Sequence, residues 1–298
     1  MDRGTPGIQA IDQYLQAFTK QYRAVCVKGN VAAVHELRVN ARRLRNTLKT
    51  YSSLFHKKKI KQLDKLFQQA AAHVSELRDM DVLIQFLFSY KKKIKSKSGQ
   101  ACLQEYISSL KKKREFLLSG VTEALKKLKP ALDSPRISMM IKKQARRPEK
   151  PGRERLRRVF KKRILKSVQE LLAYNPIVHH PEKKTELHAM RIKAKHLRYT
   201  LENVGRYYDG RIKMYTEQAL FFHKILGEIH DYDVWISLIA RDRSGQKSGP
   251  GIKQTLKHLQ EYCRRMRANS YRQFVQRWDK LNKNRFFEDL LELVYAHR

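Results

Sequence analysis

Apolar residues recur at steps of three and four along nearly the whole chain, and nowhere do they alternate over a sustained stretch. That period belongs to helices with one buried face, so no strand is predicted. Ile8, Ile11, Leu15, Phe18 and Tyr22 fall on one face of a helix over Gly7–Val27, which Gly29-Asn30 ends. Further helices are predicted over Val31–Phe55, Ile60–Leu77, Val82–Ile94 and Gln100–Lys129, the last stopped by Pro130. The second half has the same plan: Glu154–Ala173, Glu182–Tyr207, Ile212–Ile229, Val234–Arg241, Ile252–Asn282 and Arg285–Tyr295. Loops at Ser96–Gly99 and Ser244–Gly251 occupy corresponding places. Residues 134–152 carry Pro135, Pro148, Pro151 and many cations, and read as a linker between lobes 1–133 and 153–298. The architecture expected is all-α: two antiparallel helical bundles, related by a pseudo-twofold and produced by internal duplication.

Two near-copies carry the case for duplication. Val34–Leu48 reads VHELRVNARRLRNTL, and Leu187–Leu201 reads LHAMRIKAKHLRYTL. His35 falls on His188, Arg38 on Arg191, Arg42 on Lys195 and Arg45 on Arg198. At about 100° per residue these side chains form a cationic stripe beside the apolar one. Lys49 extends the first stripe at its end, and Lys184 begins the second. A matched acidic element follows each helix, ELRDMDV at Glu76–Val82 and EIHDYDV at Glu228–Val234. Here Asp79 pairs with Asp231, and Asp81 with Asp233. Asp81 and Asp233 are expected to cap the helices that follow. Asp79 and Asp231 either satisfy a turn or accept hydrogen bonds from the basic row.

Charge narrows the partner. Lys plus Arg number 65 against 28 Asp plus Glu, a formal net charge of +37. Self-repulsion of that size favours a polyanionic partner: polyphosphate, nucleic acid or an anionic membrane surface. Cys26, Cys102 and Cys263 are far apart and form no C-x-x-C pair, which fits a reduced, cytoplasmic protein. The N-terminal MDRGTPGIQAIDQY predicts no signal peptide, and no stretch suggests membrane insertion.

The paired H-x-x-R-x-x-x-[KR]-x-x-R helices, each followed by an R/H-D-x-D-V element, resemble the conserved histidine α-helical domain (CHAD) family. The resemblance runs from about Ile8 to the C-terminus. It implies a helical, pseudo-twofold protein that binds inorganic polyphosphate on a basic surface; the ligand expected here is long-chain polyphosphate, with no cofactor and no catalysis. Association with polyphosphate granules would follow. The two copies differ where Arg43 is matched by His196, Lys49 by Glu202 and Arg78 by His230.

The binding residues expected are His35, Arg38, Arg42, Arg45 and Lys49 in one lobe, with His188, Arg191, Lys195 and Arg198 in the other, facing one basic groove. Arg suits bidentate contact with phosphate, and Lys gives a point charge. The two histidines either touch phosphate or pack. Arg78, Asp79, Lys184, His230 and Asp231 are weaker or supporting candidates. His223, His230, Asp231 and Asp233 lie close in sequence, but the first lobe has no matching pair, so no metal is expected. No Gly-rich phosphate loop, H-E-x-x-H or E-x-E-x-K strand is present to suggest an enzyme. Nucleic acid is the second reading. Between His35 and Lys49 no aromatic residue offers a base a stacking platform, and in the second copy only Tyr199 does, on the side away from the apolar stripe.

Overall fold

The computed structural model describes residues 6–52, 55–132, 134–145, 153–244 and 249–296. Among them every regular element is helical, as the three- and four-residue period requires. None of these helices is long and apolar enough to cross a membrane. The chain divides into two compact units, Met1–Pro151 and Gly152–Arg298.

The first unit contains α1 (Pro6–Val27), α2 (Val31–Thr50), α3 (Lys57–His73), α4 (Ser75–Lys91), α5 (Lys97–Leu128) and α6 (Ser134–Ala145). Gly29 adopts the left-handed conformation (φ +54°) that ends α1, and the Asn30 side chain caps α2 by accepting from the Ala33 amide at 2.8 Å. The apolar stripe of α2 (Val34, Leu37, Ala41, Leu44, Leu48) is fully buried and packs against α1 and α3. Phe18 of α1 meets Phe67 of α3 edge-on, ring centroids 5.1 Å apart. Residues 134–145, expected to belong to a linker, instead form α6 because Ile137 and Ile141 supply an apolar edge that buries against α1. Ser138 fixes the contact by donating to Asp12 at 2.7 Å. The remaining stretch of that linker, residues 146–152, lies outside the described residues.

The second unit contains α7 (Arg153–Leu172), α8 (Lys184–Val204), α9 (Lys213–Ser244), α10 (Pro250–Lys283) and α11 (Phe286–Ala296). Its core is aromatic: Trp278 sits among Phe222, Phe274 and Phe287, and its indole N–H donates to Asn175 at 2.9 Å. That bond satisfies the one polar atom the buried indole carries.

Two boundaries differ from expectation, and both bear on the acidic motifs. The break in the first unit falls at Val74 (φ −91°, ψ 2°), ahead of ELRDMDV, so Asp79 and Asp81 lie inside α4. In the second unit there is no break: α9 runs through EIHDYDV as one 32-residue helix. Asp81 and Asp233 therefore cap nothing. A polar run that reads as a turn becomes helix because its aspartates have partners on a neighbouring helix.

Candidate functional site

Those partners are two arginines. In the first unit Arg114 of α5 donates through Nε to Asp81, whose side chain is almost wholly buried, and through Nη2 to the Gly29 carbonyl at 3.0 Å. In the second, Arg267 of α10 donates through Nε to Asp233 Oδ1 at 3.1 Å and through Nη2 to the Pro181 carbonyl at 2.6 Å. Each arginine thus ties an acidic motif to the segment that enters a basic helix. Lys184 adds a third group in the second unit, 3.5 Å from Asp233. Lys184 is therefore engaged in holding Asp233.

The basic rows themselves have a far end held by local carboxylates and a near end gathered around a histidine. In α2 the far end is already balanced: Arg45 donates to Asp64 of α3 at 2.8 Å and to Gln68 at 3.3 Å, and Lys49 lies 3.2 Å from the same Asp64. In α8 the corresponding Arg198 donates to Glu202 at 2.7 Å and approaches His223 Nδ1 at 3.3 Å. Its guanidinium also lies 5.1 Å from the ring centre of Tyr199. Tyr199 is buried, not turned outward as its helical position suggests, because this side of α8 is covered by α9.

The near end is different. Arg38 donates to the Ser75 carbonyl at 3.2 Å and to the exposed Asp79 at 3.3 Å, which places Asp79 against the basic row. Arg42 has no ion pair or side-chain hydrogen bond to a described residue. Burial, and then the guanidinium of Arg78, hold the His35 imidazole below its ordinary value; Arg42 and Arg38 act in the same direction and Glu36 opposes them. His35, Arg38, Arg42 and Arg78 therefore form one cluster drawn from α2 and α4.

In the second unit the cluster is His188, Arg191, Lys195 and His230. The rings of His188 and His230 lie 4.0 Å apart between centroids. Burial, then Arg191 and Lys195, lower the His188 pKa. Burial, then His188 and Arg191, push His230 down to about 4 against the opposing pull of Asp233. Gly227 lets α9 pass close to α8 here: a Cβ at this position would stand 3.4 Å from Arg191 Nε. Asp231 is half-buried on the same helix, beside Tyr232. His223 and His230, seven residues apart, have separate neighbours, Arg198 and His188. Among the described residues no three His, Cys, Asp or Glu side chains form a group able to hold a metal.

The CHAD domain family model matches residues 9–240, well over half of the chain. The chain belongs to the CHAD family. Its fold is similar to that of PptA from Streptomyces chartreusis (TM-score 0.61, 17% identity), a match covering 92% of this chain and 98% of the other. It is also similar to the CHAD domain of the plant Ricinus communis (TM-score 0.65, 17% identity), covering 100% of this chain and 94% of that one. No curated protein sequence matches.

Within this CHAD protein, the H-x-x-R-x-x-x-[KR] portion of each motif helix joins the cationic cluster, whereas the final Arg sits in a local ion pair. Reading a helix face alone missed Asp64, Gln68, Arg114 and Arg267, all supplied by other helices. Asp79, which the sequence offers as an acceptor for the basic row, receives Arg38, and Glu202 stands at i+4 from Arg198.

Proposed function

We propose that the protein binds long-chain inorganic polyphosphate, with His35, Arg38, Arg42 and Arg78 as one phosphate subsite and His188, Arg191, Lys195 and His230 as another. One observation carries this reading. In each cluster several positive groups are gathered around a part-buried histidine: burial first, and then Arg78 beside His35 and Arg191 beside His188, hold the ring below its ordinary value. Such a cluster is costly in the free protein and is relieved by an anion. Arg45, Lys49 and Arg198, already paired, support the edges of the subsites. CHAD membership favours the same ligand.

Buried Tyr199 favours an anion without bases, since base stacking needs an exposed ring. The test is a competition titration at equal phosphate concentration. Polyphosphate is expected to displace both single-stranded and duplex nucleic acid. If nucleic acid displaces polyphosphate instead, the nucleic-acid reading replaces this one. Salt dependence is steep for either ligand and does not separate them.

A further inference from the structure

The two clusters are not equivalent. Beside the motif-helix histidine, the first unit places Arg78 and the second places His230. The His188 and His230 rings are 4.0 Å apart and inclined at 42°, and His188 Nδ1 is buried with no hydrogen-bond partner among the described residues. The charged groups facing this pair are Arg191 and Lys195 from α8 and Asp233 from α9. Asp233 is already held by Arg267 from α10 and by Lys184. Around His35 stand Glu36, Arg38 and Arg42 from α2 and Arg78 from α4, with Asp79 bonded to Arg38.

Resting on the phosphate reading above, we propose that the His188–His230 pair is a phosphate subsite that takes up a proton with its ligand, and that the residue at position 78 or 230 sets this property. Arg78 supplies a permanent charge where His230 supplies a conditional one. Two rings at this separation, beside Arg191, resist protonation until an anion arrives to offset the charge. A phosphate oxygen brings that offset. The imidazolium it favours donates from both nitrogens, whereas the neutral ring donates from one. The free-state pKa values, lowered for both rings, agree with this order of events.

The sign follows from linkage. An anion raises the pKa of the pair in the complex above its free value. The added affinity is fully present below the free value and fades as pH rises through the complex's value. One proton per ligand tightens binding by at most about tenfold per pH unit within that window.

The test counts protons. Polyphosphate is titrated calorimetrically into wild type, H230R and R78H in buffers of different ionisation enthalpy, at about pH 6 and about pH 7.5. H230R is expected to take up fewer protons than wild type and to bind more tightly at the higher pH. R78H is expected to take up more protons and to bind more weakly there, recovering on acidification. Thermal unfolding checks each variant, and R78H carries the test if H230R does not fold. Wild-type proton counts in the folded variants overturn the inference. A wild-type protein that binds no polyphosphate at either pH overturns the ligand reading, a different result.

Discussion

Arg114 holds Asp81 in the first unit as Arg267 holds Asp233 in the second, and in each case the guanidinium's other arm takes a carbonyl from the segment entering a basic helix. The aspartates are enclosed by these contacts, and Asp81 is 3% exposed. A buried carboxylate that loses its arginine is left as an uncompensated charge.

Replacing Arg114 by Met therefore destabilises the first unit by about 3–5 kcal/mol. Urea unfolding followed by a probe placed in that unit measures it. D81N/R114M together should lose less than R114M alone, because the stranded charge is gone; equal losses would show that the clamp acts through packing.

Arg42 and Arg45 lie on the same stripe but differ in partners. R42A removes a cation from the cluster and should weaken polyphosphate binding tenfold or more, since a charge-assisted contact contributes about 1.5–3 kcal/mol. R45A should weaken it less, because Asp64 already balances that charge. D64N goes the other way: removing the negative charge that offsets Arg45 should tighten binding. Equal effects of R42A and R45A would contradict the division of the row.

Acid stability reports on the histidines held below their ordinary value, and H230Q separates His230 from His35 and His188. The folded pKa of His230, about 4, lies below the unfolded value of about 6.5. Protonation therefore favours the unfolded chain. The contribution to stability is present above the unfolded value and is lost as pH falls through the folded one. In the absence of polyanion, Tm should decline across that interval, and H230Q should decline less. Parallel Tm profiles would assign the acid sensitivity to other groups.

Gly29 combines a left-handed φ with a crowded flank. A Cβ there would collide with the Leu118 side chain, and the residue's carbonyl is the acceptor of Arg114. G29A should destabilise by more than about 1 kcal/mol, the cost of left-handed backbone alone. A melting temperature equal to wild type would refute this.

The helical period made the elements and the buried stripes of α1 and α2 legible in sequence. The matched histidines and arginines also marked the cluster residues of both motif helices. The state of those residues was not legible. That Arg45 is neutralised depends on Asp64, on a helix whose facing is fixed by its apolar side packing on α1 and α2. Asp81 and Asp233 read as caps because local propensity favours them at helix starts. Their helical placement depends on Arg114 and Arg267, each more than thirty residues away in the chain.

Counting back from the acidic motifs, Val74 and Ser75 correspond to Leu226 and Gly227, yet the chain interrupts its helix at the first pair and runs on through the second. A helix end inside the first unit creates a place where backbone hydrogen bonds can open without unfolding the rest. Amide protons just after Val74 lack the continuous ladder that protects those around Gly227, so they should exchange with solvent sooner. The Ser75 carbonyl at this seam already receives Arg38. Any ligand that draws Arg38 away from it would loosen the seam, and hydrogen exchange at residues 75–77 would report occupancy of a subsite several side chains removed from the amides being watched.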